Sequence, residues 1–405
     1  MNGPAGTRVA IVGAARTPIG RFGGSLRALS APELGVVAAR AAIERAGLRP
    51  GEIEEVVFGN GIQAGVGQNP ARQVLRGAGV PDEVGAVTVN MVCGSGMKAI
   101  QLGSALIRAG DFARVLVGGT ESMSNAPFLV DGAVRWGVRP GPRVLEDSMQ
   151  HDSLVDAYGE HELMGLTGER VARKLGLGRT DVDRYGLRSH LRAASAVAAG
   201  TFDAETVAVP PEPSRGAPGL ARDEAPRGDT TLEGLARLRL SFSPTGVLTA
   251  GNSSKLADGA AALVLASEAE VQRRGSRPLA WIHSADESGV APQDVMEAPI
   301  PTVRRHLERT GLRPEQFDRV EHNEAYASAS IAVQRAFGFA DDRFNPDGGA
   351  IGLGHPIGAS GARIVVTLAY GLARSGGHLG LATLCMGGGN GLSLVIQRDP
   401  AASGA

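Results

Sequence analysis

The chain has 405 residues, of which 43% are apolar and 20% are charged, a balance typical of folded proteins. This length exceeds one ordinary hydrophobic core, so it predicts two domains or one large α/β unit. The formal net charge of −1 argues against a broad nucleic-acid-binding surface, and an anionic ligand would need a local basic patch.

The N-terminal part alternates short apolar strands with amphipathic helices. Strands are predicted at 9–15, 54–60 and 113–119, and helices at 32–47 and 94–110. A strand followed by a helix at 259–275 completes this unit. Alternation of this kind predicts a parallel or mixed sheet that is covered by helices.

An internal repeat relates the two ends of the chain. The segment ERAGLRPGEIEEVV at 44–57 resembles ERTGLRPEQFDRVE at 308–321, and Ser95-Gly96 pairs with Ser360-Gly361. These matches keep their order along the chain, so they predict a duplicated unit. The second copy is predicted to run from about Pro278 to Gln397 with the same order of elements.

A segment of different character separates the two copies. It contains helical patterns at 167–176 and 183–200 and a proline-rich run at 209–219. We therefore predict an inserted loop domain that covers a ligand or contributes to oligomer contacts. The predicted domains are 1–123 with 244–275, the inserted 124–243, and 276–405.

Targeting signals and disulfides are not expected. The opening MNGPAGTRVAIVGAA lacks a basic stretch before a long apolar run, and no apolar run approaches the length of a membrane span. With only 2 cysteines, a disulfide framework is excluded. These features predict a cytoplasmic protein with reduced thiols.

Cys93 lies in VNMVCGSGMKAI (89–100), where a strand-like run meets a helical pattern. Unpaired amides and the dipole at a helix N-terminus favour an anion, so a thiol placed there is expected to have a lowered pKa. Such a thiol suits nucleophilic catalysis. A buried apolar cysteine is the alternative that this stretch alone leaves open.

Three other polar stretches change that balance. His355 lies in NPDGGAIGLGHPIGASGAR (345–363), Cys385 ends the strand-like part of ATLCMGGGNG (382–391), and Asn323 lies in EHNEAYASAS (321–330). Each is weak alone, because an Asn-Glu pair often only caps a helix. Together they occupy strand ends in related repeats, where active sites of α/β sheets lie.

The motifs resemble those of the thiolase family over essentially the full chain. The matching stretches are AARTPIGRFGG (14–24), GQNPARQ (67–73), NMVCGSGMKA, GGTESMSNAP (118–127), TAGNSSKLADGAAA (249–262), HNEAY, GGAIGLGHPIGASGAR and LCMGGGNG. The resemblance implies an α/β, duplicated thiolase-like fold with two similar mixed-sheet domains packed as five layers. It also implies a homodimer or homotetramer, with residues 128–150 at the position of the family's tetramerisation loop.

Thiolases interconvert two acyl-CoA molecules with a 3-ketoacyl-CoA and free coenzyme A. By resemblance, Cys93 holds the acyl group as a thioester, and His355 accepts the Cys93 proton. Cys385 would be the general base that removes the α-proton of the second acyl-CoA. One oxyanion hole would use His355 and a water held by Asn323, and the other would use the backbone N–H groups of Cys93 and Gly387.

The resemblance also suggests contacts to coenzyme A, which is substrate and product here, with no separate cofactor and no metal. Ser254 would contact the pantetheine arm, Arg227 the nucleotide end, and Met164 would line the pocket. Ser254 as a turn hydroxyl and Arg227 as a surface charge are the plainer alternatives. Leu163 stands where many short-chain thiolases have histidine, and Tyr326 where phenylalanine is common.

These departures leave the acyl chain open. Condensation of acetyl-CoA to acetoacetyl-CoA is the leading expectation, and a thiolase for medium, long or specialised chains is the alternative. A decarboxylating ketosynthase normally lacks a second catalytic cysteine, and a non-catalytic lipid-binding relative would be expected to lose Cys93, His355 or Cys385. No Gly-x-Gly-x-x-Gly follows a strand, which argues against a nucleotide-binding oxidoreductase. The Cys and His spacing fits no closed metal site.

Overall fold

The structure is a computed structural model that describes residues 7–399. Its strands are Val9–Arg16 (β1), Gly20–Arg21 (β2), Glu55–Gly59 (β3), Gly85–Val89 (β4), Arg114–Ser122 (β5), Phe128–Val130 (β6), Leu145–Asp147 (β7), Ala257–Ser267 (β8), Ala280–Gly289 (β9), Arg319–His322 (β10), Leu379–Met386 (β11) and Asn390–Gln397 (β12). Its α-helices are Ala31–Arg45 (α1), Pro70–Gly77 (α2), Ser95–Ala109 (α3), Met164–Lys174 (α4), Arg179–Ala198 (α5), Leu232–Ala236 (α6), Glu268–Arg274 (α7), Pro299–Thr310 (α8), Ala327–Phe337 (α9), Ala350–Leu353 (α10) and Ile357–Ser375 (α11).

One mixed sheet runs through the molecule. Its strands lie in the order β4-β3-β5-β8-β1-β9-β12-β11-β10, with β2 paired to β8. β3 is parallel to β4 and to β5, β10 is parallel to β11, and the strands between them are antiparallel. The order β3-β5-β8-β1 in one half therefore mirrors β10-β11-β12-β9 in the other, as the internal repeat predicts.

The two halves join along a short seam. Only Val9–Ile11 of β1 pair with Ala280–Ile282 of β9. The predicted pair of sheets is thus one sheet in hydrogen bonding and two similar halves in topology. The second half has no full strand that corresponds to β4 within residues 7–399. At that position it has a single parallel bridge between Val320 and Phe344.

Helices form layers on and between the two halves. α1 packs on β1, β5 and β8 at one outer face, while α8 packs on β9 and β12 at the other. α3 and α11 pack against each other between the halves, and α11 contacts strands of both. This arrangement confirms the prediction of a duplicated α/β fold with five layers.

The repeated Ser-Gly pair explains how the central helices approach so closely. A Cβ on Gly96 of α3 would lie 2.8 Å from the backbone N of Ala362, and one on Gly361 of α11 would lie 2.6 Å from the backbone N of Met97. Both distances are shorter than side chains tolerate, so any larger residue would push the helices apart. The glycines are therefore required by the contact that brings Cys93 and His355, which precede these helices, into one region.

The repeated Gly-Leu-Arg-Pro motif has the same structural role in both halves. Gly47 and Gly311 follow α1 and α8 with φ angles of 65° and 70°, a conformation that suits glycine. A 3-10 turn then begins at the proline of each motif. Its last side chain accepts a hydrogen bond from the backbone N–H of the motif's arginine, over 2.9 Å for Glu52 and 2.8 Å for Gln316.

The segment between β5 and β8 packs onto both halves. Its helices α4 and α5 begin at Met164 and Arg179, a few residues before the predicted starts, and pack against α9. At the end of β1, the buried Arg16 holds this segment through Glu205 (2.5 Å) and Asp223 (2.7 Å). The domain limits at 123, 243 and 275 stay a prediction, and the outermost ends of the two terminal domains lie outside residues 7–399.

The two longest helices differ in their surroundings. α5 has 20 residues with buried and exposed positions interleaved, whereas α11 has 19 residues and is buried except near its C-terminus. Neither these nor any other helix within residues 7–399 has both the length and the apolar character needed to cross a membrane.

Candidate active site

Cys93 lies in a strained turn between β4 and α3. The turn is a 3-10 segment, Val92–Gly94, and Val92 has a φ of 48°, which is rare for a β-branched residue. Ser95 holds the turn from the helix side, because its Oγ donates to Val92 O (2.7 Å) and accepts from Met91 N (2.9 Å). Asn90 Oδ1 accepts from Val92 N (3.0 Å) at the strand side. These bonds fix where the thiol points.

His355 is the partner of that thiol. Its Nε2 lies 3.2 Å from Cys93 Sγ, although the two residues are 262 positions apart. The backbone N–H of His355 donates to Lys255 O (2.8 Å), so the segment before β8 positions the histidine loop. The pairing places an imidazole within reach of the thiol proton.

Ser360, one turn into α11, sets which nitrogen of His355 carries the proton. Its Oγ donates to Pro356 O (2.8 Å) and lies 2.5 Å from His355 Nδ1. Because the single hydroxyl proton goes to the carbonyl, the oxygen must accept from Nδ1–H. His355 Nε2 is then unprotonated and faces Cys93 as a hydrogen-bond acceptor.

Asn323 follows β10 and is fully buried. Its Nδ2 lies 3.5 Å from His355 Nε2, and its Oδ1 has no hydrogen-bond partner among residues 7–399. A buried amide oxygen without a partner is costly unless a water or ligand satisfies it. The geometry therefore suits a polar ligand atom or water beside His355.

Cys385, at the end of β11, completes the group. It lines one small cavity, of about 40 Å³, together with Cys93, His355 and Gly387. Its Sγ lies 3.7 Å from Met296 Sδ. The backbone N–H groups of Gly387 and of Cys93 itself favour the thiolate form of Cys93 and so lower its pKa in part. We call this space the thiol cavity.

Burial controls the charges in the thiol cavity. It raises the pKa of Cys93 strongly, with a smaller contribution from the nearby Cys385. It also raises the pKa of Cys385 to about 12. Burial, and secondly the charge of Arg363, lower the pKa of His355 to about 3. The pKa of Cys93 is therefore raised, opposite to the lowering expected from the helix N-terminus, because loss of hydration outweighs the backbone N–H groups.

Two further cavities lie next to the thiol cavity and share lining residues in succession. The inner cavity, of about 380 Å³, shares Met164, Ser254 and His355 with the thiol cavity. The outer cavity, of about 430 Å³, shares Ala250 and Lys255 with the inner one. The three cavities therefore adjoin one another, in the order thiol, inner and outer cavity.

The predicted ligand contacts lie in different cavities of this series. Met164 is the first residue of α4. Met164 and Ser254 each line both the inner cavity and the thiol cavity. Arg227 is exposed and lines only the outer cavity. The three residues thus line adjoining cavities and do not form one cluster.

Sequence reasoning missed two residues of the site. Ser360 appears in the sequence only as the repeat partner of Ser95, and that symmetry was the available signal, since both hydroxyls bond to the turn before their helix. Met296 lies on a 3-10 segment, Pro292–Glu297, with no motif to mark it. Within residues 7–399 there is no group of three or more His, Cys, Asp or Glu residues that could hold a metal ion.

Known proteins resemble this chain over nearly its whole length. Residues 9–269 match the description "Thiolase, N-terminal domain", and residues 276–398 match "Thiolase, C-terminal domain". An acetyl-CoA acetyltransferase of Pseudomonas aeruginosa is 45% identical over 392 residues, which cover 96% of this chain and 99% of the relative. The cytosolic acetyl-CoA acetyltransferase of Mus musculus is 43% identical, with 96% and 98% covered.

The fold agrees with that of a solved relative. The crystal structure of the Bacillus anthracis acetyl-CoA acetyltransferase has a TM-score of 0.94 to this chain at 38% sequence identity. The aligned region covers 96% of this chain and 98% of the chain in that crystal structure. Matches to both halves, full-length relatives and the shared fold agree with the motifs around Cys93, His355 and Cys385: the chain belongs to the thiolase family.

Proposed function

We propose that the chain is an acetyl-CoA C-acetyltransferase, which condenses two acetyl-CoA molecules to acetoacetyl-CoA and coenzyme A and catalyses the reverse thiolysis. The main support is the 3.2 Å contact between Cys93 Sγ and His355 Nε2, beside a cavity that Cys385 also lines. The names of the Pseudomonas aeruginosa and Mus musculus relatives support the same reaction.

The first half-reaction makes an acyl-enzyme. Cys93 Sγ attacks the thioester carbonyl while His355 Nε2 takes the thiol proton. The carbon–sulfur bond to coenzyme A breaks, and the departing thiolate receives the proton of Cys385. Both thiols are protonated at rest, since burial raises the pKa of each. Proton transfer thus accompanies attack and does not precede it.

The second half-reaction forms the carbon–carbon bond. The Cys385 thiolate left by the first step removes an α-proton from a second acetyl-CoA, and the resulting enolate attacks the acetyl group on Cys93. A thiol whose pKa is raised to about 12 gives a strong base once ionised, as a weakly acidic α-carbon requires. The Cys93 thiolate leaves and regains its proton from His355, which closes the cycle.

Two groups of donors serve the oxyanions. The backbone N–H groups of Cys93 and Gly387, which favour the Cys93 thiolate in the free protein, are available to the carbonyl oxygen of the acyl-enzyme. His355, with a water on Asn323, serves the enolate oxygen of the second substrate. Each preorganised donor of this type contributes about 10²–10³ in rate.

Chain length is expected to be limited by the thiol cavity. A cavity that holds a single water has a volume of roughly 10–15 Å³. The thiol cavity, of about 40 Å³, therefore has room for an acetyl group. We expect kcat/KM for acetoacetyl-CoA to exceed that for 3-ketohexanoyl-CoA by about 10–200-fold, the usual range for a pocket too small for extra methylenes. Steady-state thiolysis assays of the two substrates measure this ratio.

Met296 is the expected barrier, because it lines the thiol cavity and contacts Cys385. The substitution Met296→Ala should lower the preference for acetoacetyl-CoA by about tenfold. Met123, which lines only the inner cavity, is the matched control as Met123→Ala. Equal kcat/KM values of the wild type for acetoacetyl-CoA and 3-ketohexanoyl-CoA would favour the alternative, a thiolase that acts on longer acyl chains.

Ser360 is expected to act as a positioning residue for His355. In Ser360→Ala, Nδ1 loses its acceptor, the useful tautomer is no longer favoured, and kcat should fall about tenfold with KM for acetyl-CoA unchanged. Ser104→Ala is a matched control, since this buried serine of α3 has no hydrogen-bond partner among residues 7–399. A Ser360→Ala enzyme with wild-type kcat would contradict the role.

Self-association is proposed on two surfaces. β4 is an edge strand of the large sheet, and its Val87 is 46% exposed. The hairpin β6–β7 and the loop inside it expose large apolar side chains, including Phe128 at 65% and Trp136 at 88%. Such patches are typical of contacts between protein chains, here a homodimer or homotetramer. Light scattering distinguishes a homodimer from a homotetramer, and a monomer in solution would contradict the proposed self-association.

A cytoplasmic location is proposed from the same relatives. The mouse protein is named as cytosolic, and it matches over 96% of this chain. Cell fractionation checks the location, and recovery in a membrane or secreted fraction would contradict it.

A further inference from the structure

Glu121 is a fully buried carboxyl group near the end of β5 that the proposed reaction does not use. Its Oε2 accepts hydrogen bonds from the backbone N–H groups of Gly61 (3.0 Å) and Gly358 (2.8 Å). Its Oε1 accepts from Asn60 Nδ2 (2.7 Å), and the N–H of Ile62 lies 3.3 Å from both oxygens. One carboxyl group therefore connects the loop that follows β3 to the first turn of α11.

The loop and the helix approach each other closely at this carboxyl group. A Cβ on Gly61 would lie 2.9 Å from Glu121 Oε2, and one on Gly358 would lie 2.8 Å from the backbone N of Gly61. Both distances are shorter than side chains tolerate, so both positions require glycine. Because the contact is this tight, a displacement of the loop is passed on to the start of α11.

The loop after β3 also holds the turn that carries Cys93. Asn90 Nδ2 donates to Gly61 O (2.9 Å), and Asn90 Oδ1 accepts from Val92 N (3.0 Å). Val92 directly precedes Cys93 and has the positive φ angle described above. The position of the nucleophile therefore depends on the position of this loop.

The first turn of α11 holds the histidine in the same way. His355 precedes this helix by two residues, and its Nδ1 donates to Ser360 Oγ (2.5 Å). Gly358, which donates to Glu121, lies between these two residues in the chain. The carboxyl group is thus bonded to the backbone on both sides of the pair formed by thiol and imidazole.

The charge of Glu121 does not favour the Cys93 thiolate. Burial and Cys385 raise the pKa of Cys93 most, and Glu121 adds a smaller rise. A carboxylate is an acceptor only, so the ionised form matches the four donors around Glu121. Burial raises the pKa of Glu121 to about 7, although the hydrogen bonds from Gly358 and the loop lower it in part. A benefit from the hydrogen bonds and an effect of the charge on the thiol therefore act in opposite directions.

We propose that Glu121 is a positioning residue that holds Cys93 and His355 at reacting distance by joining the loop after β3 to the start of α11. The connection runs through the loop and Asn90 to the thiol on one side, and through the first turn of α11 to the imidazole on the other. The role rests on the proposed function, because the paired thiol and imidazole begin the acyl transfer.

Two measurements on the full-length protein test the role. The first is steady-state thiolysis of acetoacetyl-CoA, and the second is the second-order rate constant for alkylation of Cys93 by chloroacetamide, located by peptide mapping. In Glu121→Ala we expect kcat to fall about 10–100-fold with KM for acetoacetyl-CoA unchanged, because the reacting atoms are displaced and the substrate contacts are not. Alkylation should slow as well, since the imidazole no longer faces the thiol proton.

The substitution Glu121→Gln separates the hydrogen bonds from the charge. The amide oxygen can still accept from Gly61 and Gly358, so kcat and the alkylation rate should stay within about fivefold of the wild type. Faster alkylation in Glu121→Gln than in the wild type would overturn the proposal, because the charge would then be the main effect. A loss as large as in Glu121→Ala would overturn it too, since the retained hydrogen bonds would have no value.

Glu54→Ala is the matched control. Glu54 accepts from the backbone N–H groups of Ala113 (2.6 Å) and Arg114 (2.9 Å) at the opposite end of β5. Its loss should lower Tm and leave kcat and the alkylation rate as in the wild type. Equal losses of kcat in Glu54→Ala and Glu121→Ala would assign Glu121 to general stability and contradict the positioning role.

A second variant keeps the test valid if Glu121→Ala does not fold. Asn90 is exposed, so Asn90→Ala should fold, and it removes the connection between the loop and the Cys93 turn. We expect kcat and alkylation to fall about tenfold, and wild-type values would contradict the connection. Failure of the proposed function is distinguishable, because the wild type would then show no thiolysis while alkylation of Cys93 would still differ among the variants.

Discussion

Replacing Cys93 by serine is expected to reduce kcat/KM for thiolysis of acetoacetyl-CoA by at least about 10⁴-fold, as is typical when a catalytic nucleophile is removed. The hydroxyl is a poorer nucleophile than the thiol, and it would be activated only by the neutral imidazole of His355. The backbone donors at Gly387 remain, so a small residual rate from substrate binding is expected. A coupled assay of acetyl-CoA formation measures the loss.

The substitution changes one atom, so the fold should be unaffected, and an unchanged Tm is the control. The turn that carries the residue depends on Ser95 and Asn90, not on the sulfur. A Cys93→Ser enzyme that keeps a tenth of the wild-type kcat/KM would exclude Cys93 as the nucleophile. Another residue would then have to be the nucleophile.

Replacing Cys385 by alanine should separate the two half-reactions. Acetylation of Cys93 by acetyl-CoA should still be detectable, because His355 Nε2 remains within 3.2 Å of the nucleophile. Condensation should fall by about 10²–10⁴-fold, since no base is left to remove the α-proton. Exchange of the α-protons of acetyl-CoA with deuterium from the solvent reports that step directly by mass spectrometry.

Deuterium exchange is expected in the wild type and should be lost in Cys385→Ala in the same proportion as condensation. The alanine leaves a small space next to Met296, so an unchanged Tm is the control for the fold. Acetylation of Cys93 is expected to slow as well, because the departing coenzyme A thiolate no longer receives the Cys385 proton. Exchange at the wild-type rate in the variant would mean that another group is the base. His355 would then be the first candidate, as the other base in the thiol cavity.

The sequence predicts the repeated part of the fold well because its signals are local. Glycine at 47 and 311 with the following prolines, and Ser-Gly at 95 and 360, each correspond to a backbone requirement seen in both halves. α2 and β4 were not predicted, because α2 has only eight residues and GAVTV of β4 is short and half-exposed. The seam between β1 and β9 depends on pairing between residues about 270 positions apart in the sequence, which no local pattern specifies.

The sequence indicates which residues form the candidate site, but it does not indicate their pKa values or the shape of the cavities around them. The glycine-rich settings of Cys93, His355 and Cys385 mark all three in the sequence. The direction of their pKa shifts depends on how much water the surrounding layers exclude, and a helix-terminus argument alone gives the wrong sign for Cys93. The Met296 barrier depends on the shape of the cavities, which only the assembled fold reveals.

Peptide mapping of the trapped intermediate tests the two-sulfur site most directly. The wild-type protein is mixed with acetyl-CoA, quenched in acid within one turnover, digested and sequenced by mass spectrometry. One acetyl group, carried on the peptide that contains residue 93 and absent from residue 385, is the predicted result. Acetyl groups found on another residue, or turnover without any acetylated peptide, would contradict it.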